Sequence, residues 1–119
     1  GWDGVIKQLN GDTSSIEGAV FLTPFIATSQ DETVQKFVKA YEEKYSATPD
    51  QFAADAYDAV YAVKAAAEKA GSVENDALIK AMAEITVTGT TGTMTFSAEG
   101  EADKTAYFAK IENGEYVAL

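Results

Sequence analysis

Asp55 and Asp58 lie three residues apart in AADAYDAV, and Glu99, Glu101 and Asp103 alternate through a short polar stretch. Paired carboxylates can divide general acid and general base work, and alternating acidic residues can bind calcium. Neither chemistry has its partners here. The aspartates have no His or Cys to work with. The acidic stretch lacks the ordered ligand spacing and closing bidentate Glu of a calcium loop, and reads as a solvated turn. Gly89-Thr90-Thr91-Gly92 lacks the Lys of a phosphate loop and reads as a turn leading into a strand. Tyr57 is the residue whose type and setting point to a site. It stands on a helix stripe built mostly of Ala, where a phenol is either a core aromatic or a group at the lip of a cavity. Phe25 follows Thr23-Pro24 at the end of an apolar strand. Ligands of open α/β sheets bind beyond the carboxyl ends of strands, which directs Phe25 toward a cleft; packing at a hinge is its other reading.

Composition removes whole classes of function. The 119 residues carry nine Lys and no Arg, nineteen Asp and Glu, no His and no Cys, for a formal charge of −10. Zinc sites of the usual kind need Cys or His, and Ser–His or Cys–His nucleophile pairs need His. Bidentate carboxylate or phosphate forks need Arg. Nucleic acid and anionic membrane surfaces demand cationic footprints, which an acidic chain does not offer. No metal, cofactor, catalytic residue or nucleic-acid partner is expected. The lack of Cys is compatible with an oxidising exterior, and no run reaches the length of a membrane span.

The elements that would hold these residues follow from periodicity. Trp2, Val5, Ile6 and Leu9 repeat at helical spacing and predict a short helix closed at Asn10-Gly11. Gly18–Pro24 predicts a buried strand ending at a crossover. Ser29-Gln30-Asp31-Glu32 reads as a capping box, followed by a helix with Val34, Phe37, Val38, Tyr41 and Tyr45 on one face. Pro49 as first helical residue, Asp50 at the positive end of the dipole and Gly71 as left-handed terminator delimit a long helix. Its packed stripe is expected at Ala53, Ala56, Tyr57, Val60, Val63 and Ala67. A third helix capped by Asn75 points Leu78, Ile79 and Met82 inward. From Gly92 the period becomes two, with Met94 and Phe96 alternating with Thr, a turn over Ala98–Asp103 and a returning strand over Ala106–Ile111. Asn113-Gly114 marks a hairpin. The order is α/β: helix, strand, three helices, then antiparallel strands.

Four segments, in order, resemble the type I periplasmic binding proteins, in particular the branched-chain amino-acid (Leu/Ile/Val) binding proteins of ABC importers. GWDG resembles the end of the cleft loop. EGAVFLTPF resembles the strand leading toward the hinge. FAADAYDAVYAVKAAAEKAG resembles a late helix, and GTTGTMTFSAEGEADKTAYFAKIENGEYV the terminal strand–turn–strand. The likeness covers nearly all of the chain and implies the C-terminal third of a two-lobed protein, with residues 1–119 contributing to both lobes and crossing between them near 25 and 89. It implies that Tyr57, in AYDA, faces the interlobe cleft and covers the ligand's apolar side chain. Trp2 either walls the pocket or anchors the first helix. The family's acidic anchor for the ligand ammonium falls before Gly1. Asp3 comes two places too late for that role and reads as a surface or helix-cap carboxylate.

The resemblance implies an extracytoplasmic (periplasmic or cell-surface lipoprotein) solute-binding protein that delivers an amino acid or similar small ligand to an ABC transporter permease, without chemistry. Ligand-binding residues are expected at Tyr57, Trp2 and Phe25. Two alternatives stay open: a ligand-sensing domain of a receptor or regulator with the same fold, and a fragment acting only as a self-association module. A homodimer of the isolated chain is expected from apolar faces left without partners.

Overall fold

Asp31 starts the first substantial helix. In the computed structural model, which describes residues 2 and 4–119, its Oδ1 accepts hydrogen bonds from the Thr33 and Val34 amides at 2.8 and 3.2 Å. The cap is therefore Asp31, not Ser29 of the expected capping box. Ser29 Oγ instead accepts from the Asp31 amide at 3.3 Å and shapes the approach. A carboxylate is the stronger acceptor for orphan helix amides and adds charge at the positive end of the dipole. The elements in order are α1 (Val5–Gln8), β1 (Val20–Thr23), α2 (Glu32–Tyr45), α3 (Gln51–Ala70), α4 (Asn75–Met82), β2 (Thr86–Gly89), β3 (Gly92–Phe96), β4 (Ala102–Lys104), β5 (Tyr107–Glu112) and β6 (Glu115–Ala118). The chain is α/β in the expected order. Val34, Phe37 and Val38 of α2 pack with Phe25 and Ala54 in one core cluster.

The long helix α3 begins at Gln51, two residues later than its Pro suggests. Asp50 caps it by accepting from the Ala53 amide at 2.9 Å, so Pro49 lies outside. Gly71 ends it with φ 61°. Its buried face is Ala54, Asp58, Ala62 and Ala66, not the expected stripe. Ala56, Tyr57, Val60 and Val63 of that stripe are exposed. The small Ala residues let α4 and β2 come close, and Asp58 is drawn inside because donors wait for it there. α4 is capped at Glu74 rather than Asn75. It buries Ala81 and leaves Ile79 exposed, because its contact with the Ala face of α3 favours a small residue.

Six strands form two antiparallel sheets, β1-β5-β6 and β2-β3-β4. Val20 pairs with Lys110 and Thr23 with Tyr107. Thr86 pairs with Thr95, and Phe96 with Ala102. Asn113 and Gly114 take φ 53° and 80°, the double left-handed geometry of a tight hairpin turn between β5 and β6. Two expectations change. β1 is an edge strand with Val20 and Leu22 exposed, not a buried one. The returning strand also does not pair with β3: β4 does, and β5 leaves for the other sheet. Ala62, Val87 and Met94 form the core of the second sheet and α3. With two sheets and little between them, the radius of gyration is 16.4 Å, against about 13.5 Å for a compact chain of this length.

Candidate ligand-binding site

The residues after β1 shape a hollow. Thr23 Oγ1 accepts from the Phe25 amide at 3.3 Å and donates to the Phe25 carbonyl at 3.0 Å, bracing the bend at Pro24. That bend carries Phe25–Thr28 along one wall of a cavity of about 820 Å³. α1 forms a second wall, and Thr48–Asp50, the turn into α3, a third. Phe21 and Tyr116 supply aromatic surface from the sheet. The volume suits a small molecule. Lys7, Asp50 and Glu115 are the charged residues on its lining. Tyr116 ties the walls together. Its hydroxyl donates to the Trp2 carbonyl at 2.9 Å and accepts from the Ile6 amide at 3.4 Å, while its carbonyl accepts from Thr28 Oγ1 at 2.7 Å.

The three sequence-derived candidates fall in different places. Phe25 lines the hollow, and also a smaller one of about 300 Å³ next to it. The bulk of its ring is buried and meets Phe37 edge-on at 5.9 Å. Trp2 stacks on Phe21 at 5.8 Å between centroids, so it backs a wall of the hollow rather than lining it. Tyr57 stands apart on the open face of α3, 40% exposed. Its ring lies 4.7 Å from Phe37 and 4.9 Å from Tyr61, which links it to Phe25 through Phe37 alone. The Tyr57 hydroxyl donates to that of Tyr61 at 3.3 Å. This bond first, then partial burial and the nearby Tyr61 and Asp58 charges, raise its pKa above the ordinary tyrosine value. Asp3 lies outside the described residues.

The two aspartates that invited a catalytic reading are tied up in structure. Asp55 pairs with Lys104 at 2.8 Å. Asp58 is 1% exposed and accepts four hydrogen bonds, from the amides of Thr90 and Thr91 at 2.8 and 2.7 Å and from their hydroxyls at 3.0 and 2.7 Å. Gly89 has to be Gly for this: a Cβ there would run into the Asp58 carboxylate. Glu99 and Glu101 are exposed, with their amides bonded to Ser97 Oγ. Among the described residues no three His, Cys, Asp or Glu gather where they could hold a metal. Two residues of the hollow escaped the sequence reading. Phe21 and Tyr116 line it; their signal is a polar-tipped or aromatic residue at alternate strand positions.

The arrangement defines a small-molecule hollow between an antiparallel sheet and the start of a helix, with no reactive constellation in it. The chain belongs to the periplasmic binding protein family, whose model matches residues 1–115. Among solved structures it is similar to the branched-chain amino acid transporter substrate-binding protein LivJ of Streptococcus pneumoniae in complex with isoleucine (29% identity, TM-score 0.79, 100% of this chain and 36% of that one). A putative branched-chain amino acid ABC transporter of Rhodospirillum rubrum is similar at 33% identity and TM-score 0.77, over 88% of this chain and 31% of that one. An ABC transporter solute-binding protein of R. palustris in complex with benzoate shares the fold at 24% identity and TM-score 0.79, over 98% of this chain and 32% of that one. The chain thus spans about a third of the length of the structures it matches. No curated protein sequence matches it. The family and these neighbours are solute-binding proteins, not enzymes. No helix among the described residues is long and apolar enough to cross a membrane.

Proposed function

We propose that these residues are one segment of a two-lobed extracytoplasmic solute-binding protein that hands a small carboxylate-bearing solute, such as a branched-chain amino acid, to an ABC transporter permease. The observation that carries this is the 820 Å³ hollow, flanked by Trp2 and lined by Phe25, in a chain of the periplasmic binding protein family. Isoleucine and benzoate, bound by two of the similar proteins, share a carboxylate and an apolar body. Aromatic walls suit the apolar body. Lobe closure is proposed about the crossings near Phe25 and Gly89. Tyr57 reaches the ligand in that closed form, Phe25 walls it, and Trp2 supports the wall from behind Phe21. No bond is made or broken. Titration calorimetry of the full-length protein against L-isoleucine and benzoate tests the reading, and absence of binding to both overturns it. A second reading applies to the 119-residue chain by itself, which self-associates through its open strand edge; exposed Val20 and Leu22 on β1 favour it.

A further inference from the structure

We propose that the outer stripe of α3 is an internal packing face that seats a segment of this same protein preceding residue 1. The assignment rests on the reading above of these residues as one segment of a two-lobed protein. α3 runs for 20 residues and buries one face, Ala54, Asp58, Ala62 and Ala66. A second face carries Ala56, Ala59, Val60, Val63 and Ala67, an i, i+3, i+4, i+7, i+11 pattern along one side of the helix. Val60 is 69% and Val63 54% exposed, and Ala56 and Ala59 are exposed beside them. Every charged residue of α3 lies off this stripe and has a partner within the chain. Asp55 pairs with Lys104, Lys64 with Glu68 and Lys69 with Glu84, and Asp58 accepts from Thr90 and Thr91. A helix that is apolar on two faces is one built to be buried on both.

What covers the stripe follows from its chemistry and from the length of the matched structures. Surfaces that meet a separate partner are enriched in Tyr, Trp, Met and Arg and depleted in Ala. The stripe is Ala and Val throughout, which suits the close, dry packing of a protein interior. The part of the fold that holds α3 is also small. Its sheet has three strands, β2-β3-β4, and α3 meets it through Ala62, beside Val87 and Met94, on the face opposed to solvent. The similar structures match 88–100% of this chain, while the chain makes up only 31–36% of their length. About two-thirds of a two-lobed protein is thus left to pack on the faces that stay open here. A second copy fits the stripe less well: each copy carries a charge of −10, and the open edge of β1 lies in the other sheet. The occupant is therefore an apolar sheet face or helix of the same polypeptide, with side chains that fill the hollows over Ala56, Ala59 and Ala67.

The test uses the full-length protein without solute. Val63→Lys is expected to lower its melting temperature by about 5 °C or more, because a charge enters a dry seam. Val73→Lys, in the turn after α3 where Val73 is 78% exposed, is expected to shift it by less than about 2 °C. Equal shifts overturn the seat. Should Val63→Lys fail to fold, Val63→Cys and Val73→Cys carry the test through maleimide labelling of the native protein, followed at each position by peptide mass spectrometry. Position 63 is expected to label at least about tenfold more slowly than position 73, at every protein concentration. Equal rates overturn the proposal, since the stripe is then open to water in the whole protein. Protection of position 63 that disappears on dilution also overturns it and assigns the stripe to a second copy. Failure of the unsubstituted protein to bind L-isoleucine and benzoate would overturn the solute-binding reading alone, because melting and labelling are read without solute.

Discussion

At Asp58 a single buried carboxylate meets four donors from Thr90 and Thr91, and it joins α3 to a turn 32 residues further along the chain. Asp58→Ala leaves two amides and two hydroxyls without an acceptor, and is expected to destabilise the protein by about 3 kcal/mol or more. Asp58→Asn keeps the shape but turns an NH₂ toward donors, and Gly89→Ala pushes a methyl into the carboxylate; both are expected to lose about 1–3 kcal/mol. Urea unfolding measures all three, and an unchanged midpoint for Gly89→Ala would show that the clamp has slack. Tyr57 carries a different expectation. Tyr57→Ala in the full-length protein should weaken isoleucine binding by about 1–3 kcal/mol, read by calorimetry. Its raised pKa means the folded state holds the phenol proton more tightly than the unfolded state. The associated stability is complete below the ordinary tyrosine pKa and is lost as pH rises through the raised folded value. Tyr61→Phe removes the main cause, so ultraviolet titration should find Tyr57 ionising at lower pH in that variant.

α2 shows what sequence makes legible and α3 what it hides. In α2 the apolar residues Val34, Phe37 and Val38 coincide with the buried face, so periodicity alone places it. In α3 both faces contain small or apolar residues, and the choice between them falls to Asp58. Its acceptors are satisfied by residues that no local pattern connects to it. The helix consequently turns its larger side chains outward, with Val60 69% and Val63 54% exposed. β2 and β4 are short strands in Thr-rich and charged stretches, where period-two patterning is too brief to assign their partners. The hollow was legible only at Phe25 and, indirectly, Trp2. Its other walls come from α1, β6 and the turn before α3, far apart in sequence. Substitutions on α3 separate the two faces. In the 119-residue chain, Ala62→Leu or Ala66→Leu should cost about 1–3 kcal/mol by overpacking, whereas Val60→Lys and Val63→Lys should stay within about 0.5 kcal/mol. Thermal melts reversing that order would restore the stripe inferred from hydrophobicity.

Taken whole, the molecule exposes 7775 Å², against about 6,200 Å² for a folded monomer of its mass. The excess, about 1,600 Å², is larger than the roughly 800 Å² each partner contributes to a stable interface. The exposed surface includes large apolar side chains. Leu22 on β1 pairs in register with Phe108 on β5, and the two are 62% and 56% exposed on one sheet face. β1 also lies at the edge of its sheet, with backbone groups open to a further strand. A second copy can add its own β1 at that edge, or lay its own Leu22–Phe108 face against this one. The charge of −10 opposes association, but repulsion fades beyond about 8 Å at physiological salt while burial of the Leu22–Phe108 face does not. The isolated chain is therefore expected to run as a homodimer in light scattering, more completely as salt is raised. Leu22→Lys should shift it toward monomer without lowering the melting temperature of the monomeric form, since Leu22 is largely outside the core. A chain that stays monomeric at high concentration and salt, and unfolds in one cooperative step, would mean that its exposed sheet face is tolerated in water and that no second copy is drawn to it.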